Sequence, residues 1–179
     1  MTVTFDLTIQ DVVAFNIYHL HHSPALRRQI FLTRIVVAVL VAVLSIAWVY
    51  LLDNDALQSP ITYVLSLIGA MVMYMIYPRL ATSSVKKRTV KLLQEGKNTA
   101  MLGQQQVILT NDALVCRSGA GDFSLRWPTV EKLAITEDHA FIYYGAISAI
   151  IVPKRASDQA STYTQFIQAV SEQITPQNT

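Results

Sequence analysis

Histidines at helical spacing are the first residues of this sequence that could do chemistry. His19 and His22 are three positions apart and would share one face of a helix, and imidazole is a common zinc ligand. The single cysteine, Cys116, excludes a cysteine zinc cluster and an intramolecular disulfide. The nearest acids, Asp11 and Asp6, are distant in sequence. We therefore expect a solvated or interfacial histidine cluster rather than a metal site.

A second candidate, Asp138-His139, could form a hydrolytic triad with one of several serines. No serine lies in the glycine pattern of a nucleophile elbow. The segment Gly119-Ala120-Gly121 lacks the third glycine and the following helix of a phosphate-binding fingerprint, so we expect a hairpin turn there. The sequence predicts no catalytic residues and no cofactor.

Basic residues form the third candidate group. Eight of them flank the two longest apolar runs, and all but Arg34 are candidate contacts to the membrane surface: Arg27, Arg28, Arg79, Lys86, Lys87, Arg88 and Lys91. They could anchor the ends of membrane spans, and they could also bind anionic lipid headgroups, at about 1 kcal/mol for each cation near the surface. Lys154 and Arg155 are weaker candidates for a ligand or partner contact, with a solvated loop pair as the alternative. The net charge of +2 is too small to indicate nucleic-acid binding.

The apolar runs predict two membrane spans. Residues 31–52 and 61–78 read as transmembrane helices, because about 20 apolar residues are needed to cross a hydrocarbon layer. The first run is too long, and begins too far along the chain, for a cleavable signal peptide. Neither run carries a charge near its middle, which favours an anchor over an ion pathway.

Charge asymmetry predicts the orientation of these spans. Eight of the fourteen Lys and Arg residues flank them on one side, whereas the linker at residues 53–60 carries only Asp53 and Asp55. The positive-inside rule then places both termini in the cytoplasm and the linker outside. The dipeptides Ser23-Pro24 and Ser59-Pro60 combine a good cap with a proline suited to a first helical turn, so each predicts a helix start.

The remaining segments predict an α+β protein: a two-helix transmembrane hairpin joined to a small antiparallel β-sheet or partial barrel with a C-terminal helix. Residues 1–30 read as a strand and an amphipathic helix that starts at a capping box, Thr8 to Asp11. Residues 79–96 read as a basic cytoplasmic helix ended by Gly96, and 97–179 as a meander of about six strands followed by a helix starting near Asp158 or Ser161. The six strands are expected at residues 106–110, 113–117, 123–127, 129–136, 141–144 and 147–152. Phe123, Leu125 and Trp127 alternate with polar residues, which predicts that all three face a core.

The whole arrangement resembles the YcxB-like family of bacterial membrane proteins. The residues that carry the resemblance are Thr8 to Asp11, Ala14-Phe15, Tyr18-His19, Ser23-Pro24, Gly96 to Asn98, Trp127, Val130, Asp138 to Tyr143 and Ile151 to Ala156. Ser157 departs from the pattern, which has an aromatic residue there. The resemblance implies the bacterial inner membrane and a cytoplasmic domain similar to pleckstrin-homology-like folds, in a family with no settled activity.

Three functions follow from these expectations. The first is a membrane-anchored interaction module that binds a protein partner or anionic lipid on the cytoplasmic face. The second is an accessory or immunity-type subunit that acts through its transmembrane helices on another membrane protein. The third, a membrane enzyme, would need converging polar groups in a pocket, which the sequence does not display. The sequence does not indicate an oligomeric state.

Overall fold

The computed structural model describes residues 1–52, 59–95, 101–156 and 160–174. Within these ranges the protein is α+β, with antiparallel sheets. The chain divides into two compact units. The first, here called the β unit, contains residues 1–16 together with 88–179, and the second, the helical unit, contains residues 17–87.

Four helices and seven strands make up the described chain. The helices are α1 (Ile9–His22), α2 (Pro24–Leu52), α3 (Pro60–Gln94) and α4 (Ala160–Ile174). The strands are β1 (Thr2–Leu7), β2 (Gly103–Leu109), β3 (Ala113–Ser118), β4 (Gly121–Arg126), β5 (Lys132–Ile135), β6 (His139–Gly145) and β7 (Ser148–Pro153). Short 3₁₀ turns cover Trp127–Thr129 and Lys154–Ala156.

The helix starts predicted at the two Ser-Pro dipeptides are confirmed, since α2 begins at Pro24 and α3 at Pro60. The sequence separated 61–78 from 79–96 at Pro78, but α3 runs through that proline as one helix. Proline removes one backbone donor, and a helix that contains it can kink rather than end. The C-terminal helix predicted to start near Asp158 or Ser161 begins at Ala160. The helix end predicted at Gly96 and the linker acids Asp53 and Asp55 lie outside the described residues.

The strands form two sheets rather than one meander. The first sheet has the order β1-β2-β3-β4 and the second the order β5-β6-β7. They separate at the Trp127–Thr129 turn, where Pro128 cannot donate to a ladder. Strand β1 pairs along its whole length with β2, from Thr2 opposite Ile108 to Leu7 opposite Gly103. The predicted division set residues 1–30 apart from 97–179, whereas here residues 1–16 complete the β unit.

The inward side chains of the first sheet become smaller from one end to the other. One row joins Leu109, Leu114 and Leu125, and the next joins Val107, Cys116 and Phe123. The third row joins Phe5, Gln105, Ser118 and Gly121, so its side chains are small or polar on every strand except β1. The leucine row fills its end of the unit, with Leu114 fully buried and Leu125 buried. The third row leaves a cavity at the other end.

The prediction that Phe123, Leu125 and Trp127 all face a core is therefore only partly correct. Leu125 and Trp127 are buried, but Phe123 is 46% exposed, so its predicted core position is wrong. Phe123 lies between the leucine row and the row that ends at Ser118 and Gly121, so on one side its neighbours on β3 and β4 are too small to cover it. Trp127 lies in the 3₁₀ turn after β4, and its indole N–H donates to the Thr110 carbonyl at 3.2 Å.

Helix α4 packs on the β unit, where it contacts β1, β5 and both 3₁₀ turns. Its apolar face buries Tyr163, Phe166, Ile167 and Val170, and Phe166 and Val170 have no exposed surface. The C-terminal helix that the sequence predicted is confirmed.

The helical unit pairs α2 with α3 through small and polar side chains. The hydroxyls of Ser45 and Ser66 lie 2.8 Å apart. Gly69 lets Val41 approach, because a Cβ added there would stand 3.8 Å from the Val41 side chain. The guanidinium of Arg34 lies over the ring of Tyr74, 4.1 Å from its centroid. Such contacts are typical of helices that pack closely in an apolar medium.

The outward faces of both helices are apolar and exposed. On α2, Val36, Val39, Leu40, Val43 and Leu44 are all at least half exposed. The mean hydropathy is 2.9 over the most apolar stretch of α2 and 1.6 over that of α3. Both helices are long and apolar enough to cross a membrane.

Candidate functional site

A buried carboxylate, Asp11, is the centre of the best-defined polar cluster in the β unit. The residue is 1% exposed, and its carboxylate accepts hydrogen bonds from three side chains and one backbone amide. One oxygen accepts from His139 Nε2 at 2.8 Å and from Arg155 Nη1 at 2.8 Å. The other accepts from the Thr8 amide at 2.8 Å, from the Thr8 hydroxyl at 2.7 Å and from Arg155 Nη2. We call Asp11, His139 and Arg155 the Asp11 cluster.

The start of α1 positions the carboxylate. Thr8 precedes the helix, and Asp11 reaches back to the Thr8 amide, as the predicted capping box requires. The Thr8 hydroxyl departs from that motif, because it donates to the Asp11 carboxylate rather than capping a backbone amide. One Asp11 oxygen thus satisfies the free Thr8 amide at the helix start. The other accepts hydrogen bonds from His139 and Arg155.

Two turns position those partners. A tight turn before β6 fixes His139, whose amide donates to Thr136 Oγ1 at 3.0 Å, and its ring stacks on Phe141 with the ring centroids 5.8 Å apart. Arg155 lies in the 3₁₀ turn after β7, and the Lys154 amide at the start of that turn donates to the Asp138 carbonyl at 2.7 Å. The guanidinium also donates to the Asp6 carbonyl at 3.0 Å. The cluster therefore joins the β1–α1 junction to the start of β6 and the end of β7.

Electrostatics keep the Asp11 carboxylate ionised. Burial alone would raise its pKa, but the hydrogen bonds from Arg155, His139 and Thr8 outweigh burial and hold the pKa far below the usual range of a carboxyl. The hydrogen bond to Asp11 raises the pKa of Arg155. Because an ionised carboxylate only accepts hydrogen bonds, the proton shared with His139 must be on Nε2 of the imidazole.

The Asp11 cluster connects the start of α1 to the start of β6 and the turn after β7. His139 faces Asp11 instead of Asp138, which is exposed. Within the described chain the His139 ring makes its hydrogen bond to Asp11, and the nearby Thr8 hydroxyl donates to that carboxylate instead of to the imidazole. The hydrogen bonds from His139 and Arg155 to Asp11 hold α1 against the sheets.

The basic candidates are distributed over both units. Arg27, Arg28, Arg79, Lys86 and Lys87 are exposed on α2 and α3 in the helical unit, and Arg88 and Lys91 are exposed on the part of α3 that belongs to the β unit. Helical spacing gives Lys87, Arg88 and Lys91 neighbouring positions on one side of α3. Lys91 forms an exposed pair with Glu95 at 3.7 Å. Thr89, which lies between Arg88 and Lys91 in the sequence, is buried, and its hydroxyl accepts a hydrogen bond from Asn16 Nδ2 at 3.3 Å.

The second basic pair separates into two different environments. Lys154 is exposed. The Arg155 side chain is 51% exposed, but its guanidinium is engaged by Asp11 and the Asp6 carbonyl. A ligand contact by Lys154 stays a prediction. A ligand contact by Arg155 would compete with the hydrogen bonds that its guanidinium donates to Asp11 and to the Asp6 carbonyl.

The histidine cluster near the end of α1 makes contacts of its own in the helical unit. The His22 ring stacks on Tyr18 with centroids 3.9 Å apart, and His21 Nε2 lies 3.3 Å from Thr82 Oγ1. In the described ranges no three His, Cys, Asp or Glu side chains are placed to hold a metal ion.

Sequence reasoning missed the Asp11 cluster because Asp11 already had a local explanation as a capping residue. A signal was nevertheless present. The segments Thr8 to Asp11, Asp138 to Tyr143 and Ile151 to Ala156 each carry the family resemblance, and each contributes one member of the cluster.

Comparison with known proteins bears on two of those segments. Residues 109–170 match the family model of the YcxB-like protein. The predicted resemblance is thereby confirmed over this stretch. The YcxB-like segment runs from the end of β2 into α4 and contains His139 and Arg155, whereas Asp11 precedes it. No curated protein and no solved structure significantly matches the chain.

Proposed function

We propose that this protein is a membrane-anchored interaction module of the bacterial inner membrane. Helices α2 and α3 form a transmembrane hairpin, both termini are cytoplasmic, and the β unit is a pleckstrin-homology-like domain held at the inner surface. The observation that carries the proposal is the contrast in one chain between a helical unit with exposed apolar faces and a β unit with its own buried core. Anchoring raises the concentration of a weak binder at the surface, so a modest affinity suffices.

Anionic lipid headgroups are the binding partner that the charges favour. Lys86, Lys87, Arg88 and Lys91 are exposed on consecutive turns of α3, just after the stretch assigned to the second span. Each such cation contributes about 1 kcal/mol near an anionic surface. Two sheets with a terminal helix across one end support the pleckstrin-homology-like assignment.

The anchoring is tested by cysteine labelling in intact cells. Cys116 is buried, and burial raises the pKa of its thiol to about 12, so the native protein gives little background on either side of the membrane. Ile147, on the turn between β6 and β7, is 75% exposed and suits the cytoplasmic probe. An impermeant maleimide applied outside should label Asp55→Cys, and should label Ile147→Cys only after permeabilisation. The opposite pattern would overturn the orientation.

The lipid contact is tested with the full-length protein, because β1 and α1 belong to the β unit and a fragment starting at residue 79 would lack them. The protein is reconstituted in mixed phosphatidylcholine and phosphatidylglycerol and extracted gently, and the retained lipids are quantified by mass spectrometry. Charge reversal at Lys86, Lys87 and Arg88 should lower phosphatidylglycerol enrichment at least about fivefold. High salt should lower it for the native protein as well.

The matched control reverses three exposed cations on the strands of the β unit, Arg117, Arg126 and Lys132, and should leave the enrichment unchanged. Equal enrichment in the native and α3 variants would overturn lipid recognition. The basic residues would then serve only as anchors, and a protein partner recovered with the intact protein from membranes would become the better explanation.

A further inference from the structure

The β unit contains a cavity that neither the Asp11 cluster nor the basic residues use. It measures about 460 Å³, within the range of small-molecule sites. The ends of β3 and β4 form one side, and residues 149–151 of β7 form another. Val12 and Phe15 of α1 contribute a third side.

The sequence explains why this space is empty. Phe5 on β1, opposite Gln105, is buried and is not among the residues that line the cavity. On β2, β3 and β4 the inward row that reaches the cavity consists of Gln105, Ser118 and Gly121, and Ala149 faces the same space from β7. These side chains are too small or too polar to fill a core layer. An apolar space of this size loses contacts that a well-packed interior would make, and such cavities bind apolar molecules.

The mouth of the cavity is built from both sheets. Phe123 on β4 and Tyr144 on β6 line it, with ring centroids 6.4 Å apart, and both are more than one third exposed. Among the described lining residues Asp122 is the one that carries a charge at neutral pH. Gln105 and Ser118 add hydrogen-bond acceptors. The inner walls are thus apolar, and the polar groups near the rim favour a donor or a cation.

We propose that this cavity binds the alkyl chain of a single-tailed amphiphile whose polar end is a primary ammonium or an uncharged hydrogen-bond donor. The chain lies against Val12, Phe15, Ile150 and Ile151, and the polar end lies at Asp122 and Gln105. Asp122 also pairs with Arg117 at 3.4 Å, with both side chains more than half exposed, so the discrimination against an anionic headgroup is modest. The site does not depend on the lipid contact of α3, and either can fail without the other.

The probes are butylamine, hexylamine and octylamine, with octanoate as the anionic counterpart. Binding is measured by equilibrium dialysis on full-length protein in lipid nanodiscs. The amount of probe that dissolves in the bilayer is measured with the Ala149→Phe protein, whose cavity is filled, in the same nanodiscs. This amount is subtracted from the binding by the native protein. The control is Ala146→Phe, the same change at an exposed turn position three residues earlier that is not among the lining residues.

We expect native protein and Ala146→Phe to bind one octylamine each, and Ala149→Phe to show the bilayer uptake alone. Affinity should rise about fourfold for each methylene from butylamine to octylamine. Octanoate should bind about threefold more weakly than octylamine, and Asp122→Asn should remove that difference. Equal uptake by the native and Ala149→Phe proteins, or no binding by the native protein, would overturn the proposal.

A second measurement keeps the proposal testable if Ala149→Phe does not fold. Cys116 lines the cavity and reacts slowly because it is buried, so its alkylation in the native protein is followed by intact mass over hours in a large excess of N-ethylmaleimide. Octylamine should slow this alkylation, and butylamine at the same concentration should slow it less. An alkylation rate independent of octylamine would contradict occupancy of the cavity.

Discussion

The two ends of the β unit are built from the same strands but are closed differently. At one end α4 contacts β1, β5 and both 3₁₀ turns, and Phe166 is completely buried. At the other end the inward side chains of β2, β3 and β4 are Gln105, Ser118 and Gly121, Phe123 is exposed, and a cavity remains. In a small domain every large apolar side chain contributes substantially to stability. An end left unfilled therefore points to binding, whereas the filled end provides the stability.

The largest expected effect comes from making the same truncation at both ends. Phe166→Ala should lower the free energy of unfolding by about 3–5 kcal/mol, because it removes a fully buried ring. Phe123→Ala should lower it by less than about 1 kcal/mol, because nearly half of that ring is already in solvent. Trp127 is buried and can report unfolding by fluorescence once Trp48 is replaced by Phe. Equal losses for the two variants would break the comparison.

The next largest loss of stability is expected from the Asp11 cluster. The cluster holds α1 against the sheets, and α1 forms one wall of the cavity. Asp11→Asn should cost about 3 kcal/mol at neutral pH, since Arg155 and His139 lose a charged acceptor. The pKa of Asp11 is lowered in the folded protein, so its stabilisation is present above the unfolded pKa and is lost as the pH falls below about 4. The native and variant unfolding temperatures should therefore converge in acid.

Asp138→Asn is the control for that measurement, because Asp138 is exposed and should change nothing. Asp11→Asn should also speed the alkylation of Cys116, since a loosened α1 admits reagent to the cavity. A pH-independent difference between native protein and Asp11→Asn would contradict the role of the ionised carboxylate.

The smallest effect concerns the α4 end. The Tyr163 hydroxyl is buried without a hydrogen-bond partner in the described part of the chain, and burial raises its pKa. Tyr163→Phe should therefore raise the free energy of unfolding by about 1 kcal/mol. Tyr144→Phe, at the exposed cavity end, should leave it unchanged. A loss of stability in Tyr163→Phe would show that the hydroxyl has a partner.

Local signals in the sequence predicted most of the elements. The Ser-Pro dipeptides marked the starts of α2 and α3, and apolar periodicity located β1, α1 and α4. What the sequence could not predict depends on pairing between distant residues. Alternation placed Phe123 on the inner face but does not say whether its neighbours are leucines or a glycine. Asp11 forms a hydrogen bond with Arg155 only because β1 pairs with β2, a strand that lies much later in the sequence.

That pairing of β1 with β2 also sets an order of events during synthesis. Strand β1 leaves the ribosome before β2, its partner, which follows only after α1, α2 and α3 have been made. Until then Val3, Phe5 and Leu7 have no sheet to cover them, and the loop that must close spans both apolar helices. Contacts between such distant segments form slowly. The β unit consequently completes its folding after the hairpin is translated, and a chain arrested within α3 would display an unpaired apolar strand to chaperones and proteases.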